Sequence, residues 1–274
     1  MGRSADARPI GVFDSGVGGL TVLSELRRRL PAESTIYLGD NARAPYGPRP
    51  ADEVRSFTTA CVAWLLEQDV KLLVLACNTA TAQALPLVRD QTSVPVLGVV
   101  RPGAVAAAAS TRNGHVGVIA TAGTVASGAY PIAVGEADPR LTVTQLACPS
   151  LVPLVEAGEL HGKAAEAEVR GYIAQLLAID DRIDTLLLGC THYPLLRPII
   201  ERAVGSRVAV VDSAFTTALA AEDLLDALGN RTPAVGVGMN RIVTTGDVAA
   251  FTGVAERIFG ASLPTVEQAD VKAV

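Results

Sequence analysis

Aromatic residues are scarce: five Phe, five Tyr and one Trp make up 4% of the 274 residues. Ala, Val and Leu take their place, with 49% of the chain hydrophobic and only 19% charged. That palette suits parallel sheets covered by helices, whose strands read as unbroken Val/Ile/Leu runs. It is ample for one large core or two ordinary ones. Positive charge is also thin. The net charge is −5, and the densest basic stretch, "LRRRL" at 26–30, reads as the solvated face of a helix. A nucleic-acid binder would need a basic stripe, so that class is excluded. No apolar run reaches the roughly 18 residues that suggest a membrane span. The opening "MGRSADARP" has no apolar signal core and reads as a frayed leader. The four cysteines, at 61, 77, 148 and 190, form no CxxC. Their spacing fits neither a disulfide framework nor a zinc ribbon, and leaves a reduced, cytoplasmic protein as the simplest expectation.

What is present is an alternation of short apolar runs and longer helical stretches. The runs predict strands at Ile10–Phe13, Thr35–Leu38, Leu72–Ala76, Val94–Leu97, Val116–Ile119, Leu141–Gln145, Thr185–Leu188 and Val208–Val211. Helical character lies at 20–30, 51–68, 79–90, 162–178 and 214–227. Such alternation predicts βαβ units in an α/β fold with mostly parallel sheets. Right-handed crossovers then line the strand C-termini along one edge, where ligands bind. A weak repeat is visible as well. "IGVFDSGVGGLTVL" opens a half whose later strand ends at Cys77, and "VGVIATAGTVASGAY" opens one whose later strand ends at Cys190. Asp14 precedes Cys77 by 63 residues and Ala120 precedes Cys190 by 70. Duplicated, facing lobes would bring both cysteines to one cleft.

A cysteine that closes a strand is usually a small buried hydrophobe. That reading suffices for Cys61, in the "FTTACVAWLL" helix, and for Cys148, before a proline. Cys77 and Cys190 are set apart by the residues after them. "CNTATA" and "CTHYPLL" place Asn78, Thr79, Thr191 and His192 in the first turn of a helix. Free N–H groups and the positive dipole end there favour an anion. The same field is expected to draw each thiol below its free pKa of about 8.5. His192 is within reach of Cys190 to take or relay its proton.

The "DSGVGG" turn at 14–19 lets backbone approach a ligand. A dinucleotide reading, with Asp40 as ribose partner, fails because Thr21 stands at the third glycine position and Asp14 would face the pyrophosphate. Asp14 instead reads as a carboxylate able to hold an ammonium or orient a base, and Ser15 as a cap or a substrate ligand. His115 and His161, in turns, read as surface residues. "GDNARAPYG" at 39–47 reads as a loop with a rigid Pro45-Tyr46-Gly47 turn.

A thiol protease would use one cysteine and leave the other unexplained, and redox pairs usually sit in CxxC. Two thiols flanking one anion pocket suit proton transfer on both faces of one carbon. No lysine is set for a pyridoxal Schiff base and no metal cluster is apparent, so no cofactor is expected. Polar contacts to the substrate would stabilise the carbanion.

Six stretches carry a family resemblance: "GVFDSGVGGLTVL", "YLGDNARAPYG", "LACNTATA", "CPSLVPLVEAGEL", "LLLGCTHYPLL" and "VVDSA", running in order from residue 11 to about 214. The chain resembles the glutamate racemases of the aspartate/glutamate racemase superfamily. The resemblance implies two pseudosymmetric α/β lobes, residues 1–100 plus 209–274 and residues 101–208, with the active site in the cleft between them. It implies interconversion of L- and D-glutamate without a cofactor, for peptidoglycan synthesis. Cys77 would serve the D-enantiomer, assisted by Asp14, and Cys190 the L-enantiomer, assisted by His192. Glu156 matches a supporting acidic residue. Ser15, Pro45, Tyr46, Gly47, Asn78, Thr79, Thr121 and Thr191, with Asp14 and His192, match the glutamate pocket. Ala120 departs from the glycine common before Thr121. The resemblance further implies a homodimer and raises a protein contact with DNA gyrase. A sister activity on aspartate or a hydantoin, and a non-catalytic amino-acid binder, are the alternatives.

Overall fold

The structure, a computed structural model, describes residues 5–260 and 262–272. The first half runs β1 (Ile10–Asp14), α1 (Leu20–Arg29), β2 (Thr35–Gly39), α2 (Ala51–Leu66), β3 (Leu72–Leu75), α3 (Asn78–Gln91) and β4 (Val96–Gly98). After α4 (Val100–Ser110) come β5 (His115–Ala120), α5 (Ala122–Ser127), α6 (Ala129–Ala137), β6 (Thr142–Ala147), α7 (Leu151–Glu156), α8 (Lys163–Ile179) and β7 (Thr185–Gly189). A 3-10 turn at Tyr193–Leu196 leads into α9 (Arg197–Val204) and β8 (Ala209–Asp212). The chain finishes with α10 (Ser213–Leu228), β9 (Asn240–Thr244), α11 (Val248–Phe259) and β10 (Val266–Gln268).

Two all-parallel sheets result, ordered β10-β9-β2-β1-β3-β4 and β6-β5-β7-β8. Four consecutive strands of each half thus take the same spatial order, β2-β1-β3-β4 and β6-β5-β7-β8. Register supports the duplication in detail. Phe13 pairs with Leu75 and Ala120 with Gly189, which sets Asp14 and Ala120 at equivalent places beside Cys77 and Cys190.

The strands exist because their runs are apolar on both faces. β1, β2, β3 and β7 are buried throughout, as sheets covered on both sides require. One apolar cluster runs from Ile10 and Val12 through Leu23 and Leu26 to Leu186, Leu188 and Cys190, so the core crosses from lobe to lobe. Helix ends are capped locally. Asp212 accepts from Ala214 N at 2.9 Å and Asp247 from Ala250 N at 2.7 Å, while α10 and α11 end at Gly229 and Gly260 with φ of 70° and 64°, the left-handed geometry glycine supplies at a helix end.

All eight predicted strands form, with ends moved by one or two residues. Val94 is outside its strand because Pro95 has no N–H to donate. β9 and β10 extend the first sheet beyond β2 and were not expected: Asn240 and Arg241 begin a run too polar to read as core. The sequence boundary at 209 needs correction, because β8 pairs with β7 in the second sheet. The chain leaves the second lobe through α10, which packs on both α1 and α4. α4 is not among the helical stretches read from the sequence, and it carries Pro102 and Gly103 in its first turn. Gly103 permits close packing, as a Cβ there would lie 3.2 Å from Ser213 Cβ.

Residues 1–4 of the expected leader lie outside the described residues. From Asp6 the segment is tied down: its N–H donates to Arg231 O at 3.2 Å and its carbonyl accepts from Lys71 Nζ at 2.6 Å. His115 is not a plain surface residue either, for its Nδ1 lies 2.6 Å from an oxygen of the buried Asp180. His161 is exposed as expected. Among the described residues no helix is long and apolar enough to cross a membrane.

Candidate active site

The C-terminal ends of β1, β3, β5 and β7 meet at a cavity of about 180 Å³ between the sheets. Ser15, Pro45, Tyr46, Gly47, Cys77, Asn78, Thr79, Thr121, Glu156, Cys190, Thr191 and His192 all line it. The space suits a molecule the size of an amino acid rather than a nucleotide. Every candidate site residue from the sequence is at this cavity, except that Asp14 lies just behind it, fully buried.

Cys77 caps α3, accepting from Ala80 N at 3.4 Å, while its thiol donates to Ser15 Oγ at 3.4 Å. The sequence predicts an acidified thiol here, and the structure reverses that. Burial, with the Asp14 carboxylate nearby, outweighs the hydrogen bonds with Ser15 and the Ala80 N–H and pushes Cys77 up to about 12. Helix-end fields matter less once the sulfur leaves water. Asp14 is itself raised by burial, against the opposing effects of His192 and of the Gly16 and Gly19 N–H groups. Its Oδ2 accepts from Gly16 N at 2.9 Å and its Oδ1 has no hydrogen-bond partner among the described residues. Gly19 leaves it room, since a Cβ there would fall 2.5 Å from Asp14 Cβ.

Cys190 differs from the expectation in another way. No α-helix begins directly after it, only the 3-10 turn before α9. Its partner is His192, whose Nδ1 is 3.8 Å from Sγ and whose Nε2 is 3.1 Å from Glu156 Oε1. Burial pulls the imidazole down, but its contacts with Cys190 and Glu156 win and raise it to about 10. Those contacts favour the protonated ring. The duplicated site is electrostatically unequal: a carboxylate stands behind Cys77, where the equivalent Ala120 offers nothing to Cys190 and an imidazolium serves instead.

Several contacts close the cleft across the lobes. Thr79 Oγ1 lies 2.8 Å from Thr121 Oγ1 and 3.3 Å from Thr124 Oγ1, a buried group of three hydroxyls. Asn78 donates to Tyr130 OH at 2.7 Å, which leaves its buried Oδ1 unpartnered. Gly123 N donates to Gly47 O at 2.9 Å. Tyr46 lines the cavity with its ring only, because its hydroxyl is bonded to Asp40. Asp40 holds the loop as a structural carboxylate, also accepting from Thr245 Oγ1 at 2.6 Å and from Arg43 Nε at 2.9 Å.

Sequence reasoning missed Cys148, Pro149, Val152 and Pro153, which line the cavity from α7 and the segment just before it. Cys148, set aside as a core residue, is buried and raised to about 12 by burial, then by Cys190 and Glu168. Its position in "CPSLVPLVEAG", ahead of Glu156, was the available signal. Cys61 is buried as expected, beneath the Arg43 guanidinium at 3.4 Å.

Two equivalent α/β lobes that each present a thiol to one closed cavity define an acid–base enzyme of the racemase type, and similarity to known proteins agrees. Residues 10–221 match the family model described as Asp/Glu/Hydantoin racemase. The glutamate racemase of Shouchella clausii is 49% identical over 245 residues, 89% of this chain and 88% of its own. The glutamate racemase of Thermus thermophilus in complex with β-chloro-D-alanine superposes with a TM-score of 0.89 at 43% identity, covering 99% of this chain and 100% of that one. That of Francisella tularensis in complex with D-glutamate also gives 0.89, at 31% identity over 98% and 100%. The chain belongs to the glutamate racemase family.

Proposed function

We propose that the protein interconverts L- and D-glutamate by moving a proton between Cα and two thiols, supplying D-glutamate for peptidoglycan. The observation that carries this reading is the pair of cysteines at equivalent strand ends, lining one cavity from opposite lobes. From L-glutamate, Cys190 takes the Cα proton, the negative charge on its sulfur balanced by the His192 imidazolium. The C–H electron pair stays on Cα and spreads into the α-carboxylate. Cys77, which carries its proton at neutral pH, then delivers it to the opposite face, and the two sulfurs have exchanged roles. From D-glutamate the order reverses, with Asp14 as the group that must accommodate a charged Cys77.

Unpartnered Asn78 Oδ1 offers an acceptor for the substrate ammonium, with the Asp14 carboxylate behind the cavity adding negative charge. Ser15, Thr79, Thr121 and Thr191 offer hydroxyls for its carboxylates, and Pro45, Tyr46 and Gly47 close one wall. Such contacts, fixed before the reaction, stabilise charge that develops at Cα. Glu156 holds His192 in its charged form. Cytoplasmic residence and a homodimer belong to the same reading, tested by fractionation and by sedimentation. A contact with DNA gyrase would run through protein surface, given the net charge of −5, and a pull-down without gyrase removes it.

The test is incubation of purified protein with L-glutamate in D₂O, following optical rotation and Cα deuteration together. Rotation should decay to zero as deuterium enters Cα. Activity on aspartate or a hydantoin in a side-by-side panel, with none on glutamate, would transfer the reading to a sister racemase. No exchange with any of them would leave an amino-acid binder.

A further inference from the structure

The two thiols are held differently. Cys77 hydrogen-bonds with Ser15 and Ala80, both of its own lobe. Cys190 depends on groups that the first lobe reaches across to hold. Thr21, in the first turn of α1, donates to Thr191 O at 3.1 Å. On the far side of the Cys190–His192–Glu156 triad, Arg257 of α11 donates from Nη1 to the carbonyl of Glu156 at 2.9 Å. Glu156 is the last residue of α7, and its side chain holds His192.

The fit around Arg257 is built rather than incidental. The chain turns away from α7 at Gly158, with φ of 83°. A Cβ at that position would lie 2.6 Å from Arg257 Cδ and 2.8 Å from Cγ. The arginine stem therefore lies flat against a glycine that must be a glycine for two reasons, conformation and space. A guanidinium on the C-terminal carbonyl of a helix is favourable in itself. Here it also fixes where Glu156 stands.

We propose that Arg257 is a positioning residue for the Cys190 half of the reaction, fixing Glu156 against His192 from the opposite lobe. The inference rests on the two-thiol reading of the site. Arg257 touches neither the cavity nor the reacting atoms; it acts through Glu156 and His192. The charged and titratable groups facing His192 are Cys190, Glu156 and Asp14. Of these, Glu156 is the one whose position Arg257 controls.

Arg257→Ala should lower kcat/KM three- to thirtyfold, equally from either enantiomer, because the equilibrium constant of a racemisation is one. The effect of Cα deuteration separates the halves. With Cys190 transfer slowed, the isotope effect on kcat/KM should rise from L-glutamate and fall from D-glutamate. Arg257→Lys should recover part of the rate, and Gly158→Ala should reproduce the defect from the other side. A second measurement does not depend on the substrate. NMR titration of the His192 ring should give a lower pKa in Arg257→Ala than in the wild type, with a cooperative thermal melt showing that the variant is folded. An unchanged His192 titration, or isotope effects that move together from both enantiomers, overturns the proposal. If the wild type exchanges no Cα proton of glutamate but the His192 shift persists, the substrate reading fails while the role of Arg257 in placing Glu156 stands.

Discussion

A single methyl group at Gly18 should separate His192 from Cys190. In the "DSGVGG" turn, a Cβ on Gly18 would lie 2.4 Å from His192 Nδ1, 2.5 Å from its Cε1 and 2.5 Å from Thr191 Oγ1. Ordinary contacts begin near 3.4 Å, so the ring must retreat by about 1 Å. Glu156 stands behind it, and the accessible motion stretches the 3.8 Å contact to Cys190. A displacement of about 1 Å at a reacting group can cost roughly 10²-fold in rate, or about 2.7 kcal/mol of barrier. The clash itself should cost about 1–3 kcal/mol of stability, the usual range for overpacking. Initial rates of racemisation by circular dichroism, beside a urea melt, measure both. Gly171→Ala controls for the substitution type, since it sits in α8 with nothing within 4 Å and should stabilise by about 0.5–1 kcal/mol. If Gly18→Ala folds and keeps its rate within threefold of wild type, the turn does not confine the ring and the reasoning is wrong.

Cys77→Ser and Cys190→Ser should each abolish two-way racemisation, yet leave one-sided elimination from a suitable substrate analogue, monitored by product release from each enantiomer separately. Glu156→Gln should shift the basic limb of the pH–rate profile to lower pH than in the wild type, because the imidazolium loses one of the two contacts that raise it. The same protonation is linked to stability: His192 is raised in the folded state, so its contribution is complete below about 6.5 and is lost as pH climbs toward 10. His192→Asn should therefore flatten the decline of the melting temperature over that window. Away from the site, Lys71→Met should cost about 3–5 kcal/mol by stranding a buried partner, since Lys71 pairs with Glu33 at 2.6 Å and donates to the Asn230 carbonyl at 2.8 Å; pairing it with Glu33→Gln should recover part of the loss in a denaturant titration.

Much of the site was legible before folding. The motif ends at Cys77 and Cys190 and the "DSGVGG" turn point to the cavity, since strand ends in a parallel sheet gather at one edge. The sign of the Cys77 shift was not legible. A helix N-terminus is a local feature visible in "ACNTATA", whereas burial and the approach of Asp14 depend on segments 63 residues apart. The same holds for Cys148, which reads as core and is core, but core that happens to wall a cavity.

The sequence by itself determined the class of fold, the duplication and the two thiols, because hydrophobic period, strand-end residues and internal repeats are properties of local order. Only the tertiary structure decided how the two lobes meet and what each sulfur faces. It moved β8 to the second sheet, set β9 and β10 beside β2, and brought Arg257 to the end of α7. Those outcomes turn on burial and on contacts between residues distant in the chain. Charge beside a sulfur is worth little in water and more where the sulfur is buried, so the division of labour between Cys77 and Cys190 exists only once the lobes have closed around them.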